Sequence, residues 1–191
     1  MKKINIFLAS SNELKPERIN FEIEIYRKCK SWFNKGIFLQ LDIWEDMSAR
    51  MSVTGSQSEY NKFVKEADLF VFLAYSKVGM YTGEEFEHAF GEFNSIQKPF
   101  IYTYFKTAAD NLVVDDSLAA FKKKLHELKH FYANFNDSND LWNQFNKELE
   151  RLEADGFTEN KRPEATAGAS NITQTADKIY NIDKIDSANF S

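Results

Sequence analysis

The chain has 191 residues, a formal net charge of −5, 43% hydrophobic and 28% charged residues, which excludes wholesale disorder and fits one domain with or without a tail. Seven glycines and three prolines are too few for a turn-rich β-sandwich or a collagen-like chain, and the acidic balance gives no electrostatic reason to bind nucleic acid. The single cysteine, Cys29, excludes an intramolecular disulfide and a cysteine-rich zinc site. No apolar run approaches the ~20 residues that span a bilayer, and the apolar start before Ser10 is too short for a secretory signal. The expectation is a cytoplasmic protein with neither a membrane nor a nucleic-acid partner.

Ile4-Asn5-Ile6-Phe7-Leu8-Ala9-Ser10 reads as a short buried strand. Pro16 suits the first turn of a helix, where its missing N–H costs nothing. Over residues 17–34 two patterns compete. Ile19, Phe21, Ile23 and Ile25 alternate like a strand, while Ile19, Ile23, Tyr26, Lys30 and Phe33 follow helical spacing. Length favours a helix, ended by Gly36. Residues 37–44 form a second strand candidate, 45–55 a polar loop, and 57–67 a helix capped by Ser56 or Ser58. Leu69-Phe70-Val71-Phe72-Leu73-Ala74-Tyr75 is an uninterrupted apolar run of the kind a parallel sheet buries on both faces. A loop at 76–81 leads to a helix at 82–95, then a strand at 100–105. Helices follow at 118–130 and 141–152, the second opened by Asp137-Ser138-Asn139-Asp140.

Strand and helix alternate four times, which predicts an open parallel α/β sheet of flavodoxin-like type. Ligands of such sheets bind beyond the carboxyl ends of the strands, so residues 10–14, 44–55 and 76–85 are the candidate site segments. None carries a Gly-x-Gly-x-x-Gly or Walker loop. Residues 153–173, small and polar, read as a flexible linker. Residues 174–191 regain Ile179, Tyr180, Ile182, Ile185 and Phe190 and read as a short interaction motif.

The run Leu69 to Ser76, followed by Tyr81-Thr82-Gly83-Glu84-Glu85, resembles the TIR domain, whose third strand leads to an aromatic-x-x-x-Glu signature. Tyr81 stands where that family usually has Trp, and Glu85 where it has its catalytic glutamate. Phe7-Leu8-Ala9-Ser10-Ser11 is similar to the first TIR strand and the loop after it, and Trp44-Glu45-Asp46 to the start of the family's BB loop. The resemblance spans roughly residues 3–150 and is to a divergent branch of bacterial anti-phage effectors. It implies NAD⁺ glycohydrolase activity in bacterial immunity, switched on by oligomerisation. On that view Glu85 is catalytic and Ser10, Ser11, Trp44, Ser76 and Tyr81 surround the substrate. NAD⁺ is then substrate, and no cofactor or metal is implied. Tyr81 is expected beneath the glutamate or against nicotinamide. The terminal motif resembles bacterial amyloid-type signalling segments, implying self-assembly or docking on a partner protein.

Two other readings compete. Asp68-Leu69, Gly83-Glu84-Glu85 and Lys98-Pro99-Phe100-Ile101 also resemble nucleoside 2-deoxyribosyltransferases, although no Asp-x-Gly-Thr segment precedes the glutamate. Alternatively, Thr82-x-x-Glu85 is a capping box, and the chain is a non-catalytic adaptor. His88 and the pair His126 and His130, together with Lys122-Lys123-Lys124, are read as structural or solvated, and Cys29 as a buried small hydrophobe.

Overall fold

The computed structural model describes residues 1–43, 62–109 and 112–159. Trp44 with the polar loop to residue 55, the start of the helix expected at 57–67, and the segments 160–173 and 174–191 lie outside the described residues.

Within the compact unit Met1–Thr158, five strands form one all-parallel sheet: β1 (Lys2–Ser10), β2 (Ile37–Ile43), β3 (Leu69–Ala74), β4 (Phe100–Lys106) and β5 (Ala133–Phe135). The order is β2-β1-β3-β4-β5, a flavodoxin-like arrangement whose order reverses between β1 and β3. Ser10 pairs with Leu73 at the carboxyl end of that junction. Every residue of β3 is buried, as an apolar strand in the middle of a two-sided sheet must be. The three-residue β5 was not anticipated. It pairs only with Tyr104, Phe105 and Lys106, leaving the outer side of Phe100–Thr103 without a strand among the described residues.

The helices are α1 (Lys15–Phe33), α2 (Met80–Ile96), α3 (Asp116–Glu127) and α4 (Ser138–Ala154), with residues 62–66 also helical. Residues of α1 and α4 join Ile4, Ile6, Leu8, Val71 and Leu73 in one core. Residues of α2 and α3 join Phe7, Ala9, Phe70 and Phe72 in the other. In the second core Phe72 stacks on Phe121 at 4.7 Å and meets Phe86 edge-on at 5.8 Å. No helix among the described residues is long and apolar enough to cross a membrane.

Several boundaries and faces differ from the sequence expectation. In α1 the buried stripe is Arg18, Phe21, Ile25, Cys29 and Trp32, whereas Ile19, Ile23, Tyr26 and Phe33 are exposed. The helix carries apolar residues on two stripes, and the one chosen from spacing alone faces outward. Cys29 is buried as expected, and its Sγ accepts the Leu39 N–H at 3.3 Å. Gly36 does close the turn after α1, with φ +74°, a conformation glycine adopts at no steric cost.

α3 begins at Asp116, capped by Asp115, which accepts from the Ser117 N–H. It ends at Glu127, so His130 shares no helix face with His126. α4 is capped by Asp137, which accepts from the N–H groups of Asn139 and Asp140. Residues 153–158, expected to begin the linker, continue the folded unit instead. The Phe157 N–H donates to the Leu152 carbonyl, the Phe157 ring lies 5.4 Å from that of Phe100, and Thr158 is buried.

Candidate active site

Among the described residues, the loops after β1 and β3 lie side by side where the strand order reverses. The β1 loop is organised by α1. Arg18, only 1% exposed, donates from one guanidinium nitrogen to Ser10 Oγ at 2.9 Å and to the Ser11 carbonyl at 2.8 Å. Burying a guanidinium is costly unless its donors are met, and the turn at Ser10–Ser11 supplies acceptors for two of them. Next to it Glu17, also buried, pairs with Lys106 at the end of β4 at 2.6 Å. The Lys106 ammonium also sits 5.1 Å from the centre of the Tyr75 ring. The second carboxylate oxygen of Glu17 is buried without a partner.

The β3 loop is fastened from two sides. Glu13 accepts from Ser76 Oγ at 2.5 Å, the Ser76 N–H at 2.8 Å, Ser11 Oγ at 3.1 Å and the Lys77 N–H at 3.4 Å. Burial acts to raise its carboxyl, but these bonds, led by Ser76, outweigh it and hold the group below the usual carboxylate range. From the other side Ser117 Oγ accepts the Val78 N–H at 3.1 Å, and the Ser76 carbonyl accepts the Asp115 N–H at 2.9 Å.

Beyond this loop α2 starts earlier than expected. Its N-cap is Gly79, with no side-chain cap bond, and its first residue is Met80. Thr82 therefore lies inside the first turn and cannot be an N-cap, so the capping box with Glu85 does not exist. Thr82, Glu85, Phe86 and Ala89 are instead the buried stripe of the helix, at the spacing i, i+3, i+4, i+7 that normally carries apolar side chains. Glu85 is a carboxylate in a core position, 6% exposed. Among the described residues it has no hydrogen-bond or ion-pair partner. Burial, with the nearby charge of Glu84 added, pushes its carboxyl up to about 7.

Of the residues expected around the substrate, Ser10, Ser11 and Ser76 stand at the ends of β1 and β3 as anticipated. Their hydroxyls already serve the framework: Ser10 accepts from Arg18, while Ser11 and Ser76 donate to Glu13. Tyr81 is 62% exposed, so it is not buried beneath Glu85. It lies one turn before Glu85 on the same helical stripe. Trp44 is outside the described residues. His88 is exposed, and His130 Nε2 lies 3.0 Å from Thr103 Oγ1, away from this edge.

Glu13 falls in the candidate segment 10–14 but was not singled out there, and Glu17, Arg18 and Lys106 were not foreseen. Arg18 had a readable signal: it interrupts the stripe Leu14, Phe21, Ile25, just as Glu85 interrupts the stripe of α2. A groove of about 730 Å³ runs elsewhere, along the open side of β4 between Phe90, Phe93, Tyr102, His130 and Lys147, and none of the candidate residues lines it.

The sequence matches no protein-family profile and no curated protein. A solved structure similar to the chain is a CMP N-glycosidase of Clostridium botulinum, 20% identical, with 76% of this chain and 99% of that one covered at a TM-score of 0.48. At that distance the likeness carries no argument about chemistry.

Proposed function

We propose that the chain cleaves the N-glycosidic bond of NAD⁺, releasing nicotinamide, with Glu85 as the carboxylate that stabilises the ribosyl cation. The observation that carries this reading is the placement of Glu85. It is a buried carboxylate without a partner among the described residues, in a core stripe, on the helix that follows the central strand at the point where the strand order reverses. A group so placed costs stability and is of the kind that marks functional sites.

The chemistry fits. The nicotinamide ring already carries positive charge, so it leaves as a neutral molecule without needing a strong general acid. As the C–N bond lengthens, positive charge moves onto the ribose, and an anion held in a water-poor site attracts it far more strongly than the same anion in water. Water then completes hydrolysis to ADP-ribose. A cationic substrate also favours the ionised form of Glu85, so binding draws its carboxyl down from about 7.

The adaptor reading needed Glu85 as a helix cap, a role it does not have. Nucleoside 2-deoxyribosyl transfer remains the alternative substrate class for the same carboxylate. The wider role we propose, that of an immune effector, has residues 174–191 clustering the chain and raising its effective concentration.

Chromatography of NAD⁺ incubated with wild type and Glu85→Gln, dilute and crowded, tests the reading. Nicotinamide release by wild type alone supports it, and release by both removes Glu85. No release under any condition overturns NAD⁺ as substrate, and a deoxynucleoside panel then tests the alternative.

A further inference from the structure

We infer that Glu13 is a positioning residue: its carboxylate ties the loop after β3 to the loop after β1 and thereby sets where the start of α2, and Glu85 with it, stands. The inference rests on the reading of Glu85 given above.

The paired ladder between β1 and β3 ends at Ser10 and Leu73. Beyond it the two chains diverge, one into the turn before α1 and the other into residues 75–79. No backbone pair bridges that gap; the side chain of Glu13 does. One oxygen takes the Ser76 N–H, the Lys77 N–H and the Ser11 hydroxyl, and the other takes the Ser76 hydroxyl. The next N–H along, that of Val78, goes to Ser117 Oγ. All three N–H groups of residues 76–78 are thus committed, two of them to Glu13.

This matters for α2 because the helix has no side-chain cap. Gly79 offers only backbone, and the next glycine, Gly83, donates to the Gly79 carbonyl. With glycine at both positions the first turn has little intrinsic rigidity, and its location is inherited from residues 76–78. Among the ties on that loop, Glu13 supplies the ionic one. Loosening it would let the first turn fray and admit water to Glu85, which lies only one turn further on.

The test is Glu13→Gln in the full-length chain, with the Glu85 carboxyl followed by carbon-13 NMR across the pH range. Glutamine keeps the size of the side chain but leaves one acceptor oxygen and introduces an amide facing N–H donors. We expect the Glu85 midpoint to fall by about one pH unit or more as its environment hydrates. An unmoved midpoint overturns the inference. On NAD⁺ we expect a kcat about tenfold lower with KM changed less than about twofold, the signature of a misplaced catalytic group. If NAD⁺ proves not to be a substrate, the titration still decides, so failure of the positioning role and failure of the activity are told apart. Ser76→Ala removes one donor from the same tie and should move the Glu85 midpoint in the same direction by less. Should Glu13→Gln not fold, an unchanged midpoint in Ser76→Ala overturns the inference.

Discussion

Glu13 and Glu85 follow neighbouring strands, and their environments are the reverse of what burial cost alone would dictate. Glu13 is exposed yet collects four donors. Glu85 is buried yet has none among the described residues. A buried charge normally comes with its partners, so a chain selected only for stability would exchange these arrangements. The contrast separates two uses of a carboxylate. Glu13 is held ionised by the loop it ties, and Glu85, on the function proposed above, is left without donors among the described residues for a charge that the substrate brings.

The sharpest way to break that contrast is Glu85→Gln in an activity assay. On the role proposed for Glu85, removing its charge should lower kcat by about 10²–10³-fold while circular dichroism stays unchanged. The same variant should also be more stable than wild type in alkaline buffer. The Glu85 carboxyl is raised from 4.5 to about 7, so its contribution to stability is intact below the unfolded value and is lost as pH rises through the folded one. Above that point ionised Glu85 costs on the order of 3 kcal/mol, which glutamine does not incur. Urea unfolding at alkaline pH should show the gain, and near pH 4 the two proteins should coincide.

Glu13 has the opposite sign. Its carboxyl is held low, so its stabilisation is present above the unfolded value and disappears as pH falls through the folded one. Because the side chain is exposed, solvent screening limits the loss in Glu13→Gln to about 1 kcal/mol near pH 7. That loss should vanish in acid. Smallest of all, Ser117→Ala removes the acceptor of the Val78 N–H, which should cost about 0.5–1 kcal/mol, together with the hydroxyl that helps hold the exposed Asp115 carboxyl low; no pH dependence is expected between 5 and 9, where Asp115 stays ionised.

Much of the architecture was legible. The unbroken apolar run of β3 could be buried only in the middle of a parallel sheet, and Asp137 announced the start of α4. What failed did so where two patterns overlapped or where a feature depended on distant partners. α1 has apolar residues on both sides, so Ile19, Ile23, Tyr26 and Phe33 looked like a core stripe, and Arg18 drew no notice. β5 has three residues and exists only because β4 ends beside it. For Glu85, local spacing pointed to a cap, but the helix starts at Met80 because Gly79 can open it without a side chain. The more useful signal was a charged residue in a stripe of core positions. That signal marks Arg18 as well, and it singles out both residues without any resemblance to a family.

The short β5 has its own consequence for β4. Along this strand successive peptide groups face opposite neighbours. The Phe100 N–H donates to Asp68 on the β3 side, and the Thr107 N–H donates to Phe135 on the β5 side. By that alternation the amide of Ile101 points to the side where β5 has not yet begun, while that of Tyr102 points to β3. In deuterium oxide the two adjacent amides should therefore part company, Ile101 exchanging early and Tyr102 only with the opening of the sheet. One strand would thus be both the inside of the fold and its rim.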